Sequence, residues 1–303
     1  MKILSSFVAA AGAAAVLAGS AFAADAPTPV PFPAAKGPQV FVSAQTVAAD
    51  GTASNYFAPG STVVFRAVAV DGKTQKPLLA KDAKYFYLTI PGQPNLKLAY
   101  NPKATGASPA FPWVATWKVP ADYAAGTVPF KVLVKSKAKR VGSFVQMPVA
   151  TAMLTIAAAP PAAPTAPVSP GTALPAKVPV SLYVDTVNGS RPAAAAPRPI
   201  GCTQTNVFKR GEQLVLRTWG VELSTGDILS DENVDTASFS VPGQPAVKLN
   251  WGAHGATGAK VWFWTNAWNI PSDYPLGDVT IKVTFKTDSG KTGTLDYPIT
   301  IIP

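Results

Sequence analysis

The feature that most constrains the fold is an internal repeat at an offset of 151 positions. PGQPNLKLAY at 91–100 returns as PGQPAVKLNW at 242–251, and the two halves align without a gap from position 52 to 145. About a quarter of the aligned pairs are identical, and Trp113 and Trp117 fall on Trp264 and Trp268. The chain is therefore predicted to contain two domains of one architecture.

Each copy consists of short runs with a period of two, separated by Gly, Pro, Asn and Asp. Val63, Phe65 and Ala67 share one face of such a run, which is typical of a β-strand. No stretch after the N-terminal apolar run shows a convincing helical period. Seven or so strands in about 120 residues indicate an antiparallel β-sandwich.

Three stretches, FAPGSTVVFRAVAVD, WKVPADYAAGTVPFKVLV and WNIPSDYPLGDVTIKVTF, resemble bacterial immunoglobulin-like domains. In that family a Gly-led second strand and a Pro-x-Asp-Tyr-x-x-Gly corner before the sixth strand recur. The resemblance covers both repeats and implies an all-β chain of two tandem immunoglobulin-like antiparallel β-sandwiches joined by a Pro/Ala-rich linker. The chain lacks the Cys pair that joins the sheets of antibody-type domains, and the fold alone does not indicate a ligand.

The ends and the linker are defined by composition. Residues 1–23 have a charged start, an apolar run and a small-x-small site, so we expect a signal peptide cleaved after Ala23 and a periplasmic or secreted protein. No later stretch has the roughly 20 apolar residues of a membrane span. The expected mature chain has a Pro-rich segment at 24–37, a first domain at 38–156, a Pro/Ala linker at 157–176 and a second domain at 177–303.

Charge separates the two copies. Positions 38–157 hold 13 basic residues against 4 aspartates, a net charge of +9, whereas positions 177–303 hold 11 of each sign. Three predicted loops at one end of the first sandwich carry much of this charge, which predicts a cationic surface there. The candidate anion-binding residues are Lys73, Lys76, Lys103, Lys135, Lys137, Lys139 and Arg140.

The aromatic run KVWFWTNAW at 260–268 indicates either a stacking surface or a core strand. Trp262, Trp264 and Trp268 share one face, and the first repeat has aromatic residues at the equivalent positions, so we expect these rings in the core. Phe263 points the other way, and we expect it to be an exposed contact.

Cys202 and His254 are the only cysteine and histidine, and both are specific to the second repeat. They are possible ligands for a soft metal or for haem iron, but two residues fall short of a stable site, and the strand order predicts them at opposite ends of the sandwich. We therefore expect no cofactor. Cys202 could also form a disulfide with another chain.

Catalysis is not predicted, because a single, distant His provides no base for a Ser or Cys nucleophile. The sequence favours an exported, non-enzymatic binding or assembly module that docks an anionic partner through the first domain. That partner could be an anionic glycan, lipopolysaccharide or an acidic periplasmic protein. Nucleic acid is not expected, since no aromatic residues interleave with the lysines. The alternatives are a metal- or haem-handling electron-transfer accessory and a structural spacer of a cell-surface assembly.

Overall fold

The computed structural model describes residues 39–103, 110–146, 153–160, 171–189, 201–254 and 260–303. Within these ranges every regular element is a β-strand, which confirms the all-β prediction. The predicted signal peptide and the Pro-rich segment at 24–37 lie outside the described residues.

The strands of the first domain are β1 (Val40–Val47), β2 (Tyr56–Phe57), β3 (Thr62–Asp71), β4 (Lys76–Pro77), β5 (Ala83–Thr89), β6 (Leu96–Lys97), β7 (Ala99–Tyr100), β8 (Trp113–Lys118), β9 (Gly126–Thr127), β10 (Lys131–Ser136), β11 (Val141–Val145) and β12 (Thr155–Ile156). Those of the second domain are β13 (Val180–Asn188), β14 (Val207–Lys209), β15 (Gln213–Glu222), β16 (Asp227–Ile228), β17 (Val234–Ser240), β18 (Val247–Lys248), β19 (Asn250–His254), β20 (Val261–Asn269), β21 (Gly277–Thr287) and β22 (Thr292–Ile302).

Both domains are sandwiches whose main sheets have the same strand order. In the first domain one sheet runs β1-β3-β8-β7, with β4 beside β3, a second runs β11-β10-β5-β6, and a third, small sheet runs β2-β12-β9. In the second domain the sheets run β13-β15-β20-β19, with β16 beside β15, and β14-β22-β21-β17-β18. The paired orders match the ABED and GFC sheets of immunoglobulin-like domains.

The repeated motifs PGQP and Pro-x-Asp-Tyr contact each other in both domains. The hydroxyl of Tyr123 donates a hydrogen bond to the carbonyl of Pro91 at 3.1 Å, and Tyr274 donates to Pro242 at 2.9 Å. The glycine of each PGQP turn has a φ of +72°, which only glycine adopts without strain. The two motifs recur together because each forms half of one corner of the sandwich.

The tryptophans shared by the repeats lie in the sandwich cores, as the sequence predicts. The indole N–H of Trp113 donates to the carbonyl of Leu78 at 3.0 Å, and that of Trp264 donates to Leu229 at 2.9 Å. The second pair packs edge-on against the corner tyrosines with ring centroids 5.1 and 5.0 Å apart. All four side chains are buried: Trp113, Trp117, Trp264 and Trp268.

Two expectations about β20 are wrong. Trp262 is 37% exposed, although it lies on the same strand face as Trp264, because it lies opposite Ala253 of the edge strand β19, near the end of the sandwich. Phe263, expected to be an exposed contact, is only 4% exposed. Its ring packs against Trp219 with centroids 5.1 Å apart, on the outer face of the sheet, and this face is covered.

In each domain we call the sheet that contains β1 or β13 the inner sheet. The outer face of each inner sheet is covered by the other domain. Every residue of β1 and β13 is buried, and β3 is buried from Val63 to Asp71, whereas a strand of a two-sheet sandwich normally alternates between core and solvent. β10, on the opposite sheet, does alternate. The Pro/Ala linker therefore joins two domains that pack against one another.

The two strands β1 and β13 lie side by side at this interface. Ser43 Oγ donates a hydrogen bond to the carbonyl of Leu182 at 3.4 Å, and Gln45 Nε2 donates to the carbonyl of Val184 at 2.8 Å. From the first hydrogen bond to the second, the donor advances by two residues along β1 and the acceptor advances by two residues along β13. β1 and β13 therefore run in the same direction, and equivalent ends of the two domains lie at the same end of the molecule.

Two equivalent asparagines form reciprocal hydrogen bonds at the end of the interface that lies beyond the last residues of β1 and β13. The backbone N–H of Ala53 donates to Asn206 Oδ1 at 2.8 Å, and the N–H of Gln204 donates to Asn55 Oδ1 at 3.0 Å. Both donors and both acceptors differ by the repeat offset of 151. The contact is thus isologous, as in a two-fold symmetric dimer, but within one chain.

A buried arginine lies at the centre of each inner sheet, with a different partner in each. Arg66 donates to the neutral amide oxygen of Gln45 at 3.0 Å, and burial lowers the pKa of its guanidinium. Arg217 forms a two-pronged ion pair with Asp185, both bonds 2.7 Å long. Burial acts to lower the pKa of Arg217, but the Asp185 carboxylate outweighs burial and raises it.

Aromatic side chains connect the two cores across the interface. The ring of Phe144 in the first domain lies 5.7 Å from that of Tyr183 in the second, and Tyr183 lies 5.5 Å from Trp219. Trp219 in turn contacts Phe263. Apolar and polar contacts together fix the relative orientation of the domains.

We expect Trp264→Ala to lower the free energy of unfolding by about 3–5 kcal/mol, because it leaves a cavity in the second core. Trp262→Ala, two residues away on the same strand face, should change it by less than about 1 kcal/mol, since the ring is partly in solvent. Urea unfolding followed by far-ultraviolet circular dichroism measures both. Equal losses would contradict the assignment of Trp264 to the core and of Trp262 to its partly exposed margin.

Asp185→Asn should destabilise the protein by about 3–5 kcal/mol, because it leaves the Arg217 charge buried without its carboxylate. The matched control is Asp235→Asn, which removes the 2.7 Å ion pair with Lys286, whose two side chains are 54% and 47% exposed. Because an exposed pair is screened by solvent, we expect this control to unfold much like the parent. Urea titration of the three proteins compares them, and a small loss for Asp185→Asn would contradict the buried pair.

Candidate binding site at the basic end of the first domain

Three connections meet at one end of the first sandwich. They are the segment from β3 to β5, the β10–β11 turn and the chain that leaves β7. β8 runs antiparallel to β3 with Trp113 opposite Ala67, and Tyr100 of β7 lies opposite Trp113, so the residues after Tyr100 extend toward the Asp71 end of β3. The backbone N–H of Lys137 donates to the carbonyl of Asp82 at 2.7 Å, which joins two of the connections directly.

Asp71 organises this end of the domain. Its Oδ1 accepts hydrogen bonds from the backbone N–H groups of Lys73 and Thr74 at 3.1 and 3.0 Å, which closes the turn after β3. Its Oδ2 accepts from Arg140 Nε at 2.7 Å, and the two side chains are 7% and 19% exposed. One carboxylate thus fixes two of the three connections to each other.

A cleft of about 340 Å³ opens between two of these connections, the segment from β3 to β5 and the β10–β11 turn. Lysines from different segments line it: Lys76, Lys81 and Lys137. We call the exposed lysines of this end the basic cap; they are Lys73, Lys76, Lys81, Lys103, Lys137 and Lys139. Among the residues that the structure describes, none of these ammonium groups forms an ion pair.

The structure places the sequence candidates at this end but gives them different surroundings. Arg140 is bound to Asp71, so its charge is already balanced and it serves the turn, and its contact with a partner stays a prediction. Lys135 lies within β10, half-buried, opposite Tyr85 and Val141. Lys81 was not among the candidates, although it stands in the same lysine-rich segment and lines the cleft.

Cys202 and His254 lie at different ends of the second sandwich. The N–H of Cys202 donates to the carbonyl of Asn188, at the level of Trp268, whereas His254 lies opposite Val261. Seven residues of β20 separate these levels, about 23 Å at the rise of a strand. The two side chains cannot hold one ion between them.

The environments of Cys202 and His254 are also unlike a metal site. The ring of His254 stacks on Phe263 at a centroid distance of 4.3 Å, and partial burial, followed by the Arg217 charge, lowers its pKa. Cys202 is half-buried with a φ of +61°. In the described part of the chain no three residues of types His, Cys, Asp and Glu are grouped to hold a metal ion. An interchain disulfide through Cys202 stays a prediction.

Among the described residues, no helix is long and apolar enough to cross a membrane.

No protein-family model and no curated protein sequence matches the chain. Among solved structures it is similar to a Bacteroides ovatus mixed-linkage glucan utilisation protein, SGBP-B, in complex with a heptasaccharide, with 11% identity and a TM-score of 0.18 over 82% of this chain and 43% of that one. The chain thus spans less than half the length of that relative.

Two further similar structures are matched over almost their whole length. Domains 5–6 of the S-layer protein SbsC share 14% identity over 88% of this chain and 99% of theirs, with a TM-score of 0.22. The C-terminal domain of the Streptococcus agalactiae AgI/II polypeptide BspA shares 8% identity over 86% and 100%, with a TM-score of 0.21. Likenesses at these TM-scores carry no conclusion about function.

Arg140→Ala should lower the free energy of unfolding by about 1–3 kcal/mol, because Asp71 loses a partner that burial has made necessary. Lys139→Ala removes a neighbouring charge that forms no ion pair, and we expect a change within about 0.5 kcal/mol. Thermal and urea unfolding of the two variants compares them. If Arg140→Ala were as stable as the parent, the ion pair would not hold the turn.

Proposed function

We propose that this protein is a non-catalytic binding module that docks an anionic partner through the basic cap of its first domain. The supporting observation is that lysines from two separate connections line one cleft while the Asp71–Arg140 pair holds these two connections in place. Such a preorganised group of unpaired charges attracts anions more strongly than the same charges spread over the surface. The partner classes are an anionic glycan, lipopolysaccharide or an acidic protein of the periplasm or the cell surface.

The cap suits recognition by charge more than by shape. Its lysines are exposed, so each contact with an anion is screened by salt and weak, and affinity depends on several contacts made together. The cleft is open and most of the residues that line it are polar or charged, so it does not resemble a deep pocket for an apolar small molecule. An extended or multivalent anion is the ligand class that fits.

The test is binding of dextran sulfate, with uncharged dextran as the ligand control, to the parent and to a triple variant with Lys76, Lys81 and Lys137 changed to Ser. We expect the variant to bind about tenfold more weakly at roughly 100 mM salt and to lose most of the salt dependence. Isothermal calorimetry at several salt concentrations measures this.

A second triple variant is the matched control, with Lys97, Lys118 and Lys131 changed to Ser. These lysines are also exposed and on the first domain but lie away from the cap, so net charge falls by the same amount. This variant should bind like the parent. Equal weakening of both triples would show that net charge, and not the basic cap, binds the anion.

A further inference from the structure

The equivalent end of the second domain carries the opposite charge. At the repeat offset of 151, four lysines of the first domain are replaced by acidic residues. The pairs are Lys76 with Asp227, Lys81 with Glu232, Lys84 with Asp235, and Lys137 with Asp288. Asp231 adds a further carboxylate where the first domain has Ala80. The near-zero net charge of the second domain hides this reversal.

The ion pair that holds the loops at this end is retained in the second domain, although the charge of the surrounding exposed residues is reversed. Glu222 and Lys291 form an ion pair at the positions of Asp71 and Arg140. Ser224 and Ser289 also donate to the Glu222 carboxylate, each at 2.8 Å. Hydrogen bonds from partners hold the pKa of Glu222 below its ordinary value, although burial opposes this. Both domains therefore present loops of the same layout with opposite signs.

Four carboxylates of this end are exposed and form no ion pair with any residue that the structure describes. We call them the acidic cap; they are Asp227, Asp231, Glu232 and Asp288. Asp235 is excluded because it pairs with Lys286. The acidic cap is thus a set of unpaired negative charges, as the basic cap is a set of unpaired positive charges.

The two caps lie at the same end of the molecule. β1 and β13 run in the same direction, and the caps are at the ends where these strands begin. The N–H of Val178 donates to the carbonyl of Gln75 at 2.7 Å, which ties the start of the second domain to the capped end of the first. One end of the protein therefore has a positive and a negative half, side by side.

We propose that this bipolar end binds the bipolar end of a second copy of the chain. A two-fold axis perpendicular both to the strands and to the line that joins the two caps places the basic cap of each copy on the acidic cap of the other, so that both contacts form at once and the assembly closes as a dimer. The proposal rests on the proposed function and names the anionic partner of the basic cap: the acidic cap of another copy.

The experiment is sedimentation velocity of the purified protein across a range of concentrations at about 20 mM and about 500 mM salt, a range that shortens the screening length several-fold. We expect a dimer at low salt that dissociates to a monomer at high salt, and no species larger than the dimer. A monomer at every salt and concentration would overturn the proposal, and so would open-ended growth beyond a dimer.

Two reversal variants use the residues that the repeats themselves provide or mirror. The basic-cap reversal is Lys76→Asp, Lys81→Glu and Lys137→Asp, and the acidic-cap reversal is Asp227→Lys, Glu232→Lys and Asp288→Lys. All six positions are exposed, so unchanged circular dichroism and thermal unfolding are expected. Each variant alone should stay monomeric at low salt, with a dimer dissociation constant raised at least about tenfold.

A mixture of the two reversal variants tests whether association can be restored. The basic-cap reversal leaves Lys73, Lys103 and Lys139, so its first cap is neutral and its acidic cap is intact, whereas the acidic-cap reversal keeps its basic cap intact. In an equimolar mixture the intact basic cap of one variant can meet the intact acidic cap of the other, so we expect a heterodimer. Failure of the mixture to associate, with the parent dimeric, would show that the dimer uses another surface.

The outcomes separate this proposal from the one on which it rests. If the parent stays monomeric while the Ser variants of the basic cap weaken dextran sulfate binding, the self-association fails and the anion-binding cap stands. If the parent dimerises but the basic-cap reversal leaves the dimer and dextran sulfate binding unchanged, both proposals fail.

Discussion

The structure depends on burial of the outer face of each inner sheet by the other domain. β1 and β3 of the first domain and β13 and β15 of the second would expose that face in an isolated sandwich, whereas here it contains buried Arg66 and Arg217. Burying charge is tolerated only with hydrogen-bonding partners, and Gln45 and Asp185 provide them. Because Gln45 also donates to Val184 across the interface, the internal polar pairing and the domain contact are one network. Because of this network the two domains form one unit, and the equivalent ends of the two domains are held side by side.

Duplication and divergence are both visible at this interface. Asn55 and Asn206 make the same contact in both directions, which is the geometry expected if two identical domains once packed as a symmetric pair. Gln45 and Asp185 have diverged, so that the arginine of one domain has a neutral partner and that of the other has an anion. A contact that both copies need has been kept, and a contact that each copy makes internally has been free to change.

The sequence predicted the elements that depend on local pattern and missed those that depend on the second domain. The repeat, the strand period and the corner motif all act within one sandwich, and they led to the right fold. Val64, Val68 and Val70 make the outer face of β3 as apolar as its inner face, which was the available signal that something covers it. Assuming one solvated face instead led to the expectation that Phe263 is exposed. Trp262 was misplaced for another reason, since period alone does not show that the strand runs past the core.

The sequence analysis also missed the acidic cap of the second domain, for a similar reason. Net charge summed over a domain cannot show where the charges lie, and the basic residues of the second domain that balance its acidic cap stand elsewhere, for example the buried Arg217. Only comparison at equivalent positions reveals that Lys76, Lys81 and Lys137 became acidic. Exposed charges contribute little to stability, so they change without loss of the fold. The Asp71–Arg140 pair closes a turn, and its counterpart therefore keeps both signs as Glu222 and Lys291. The frame was constrained by folding and the caps were not, which is why two copies of one domain could come to present opposite charges at one end of the protein.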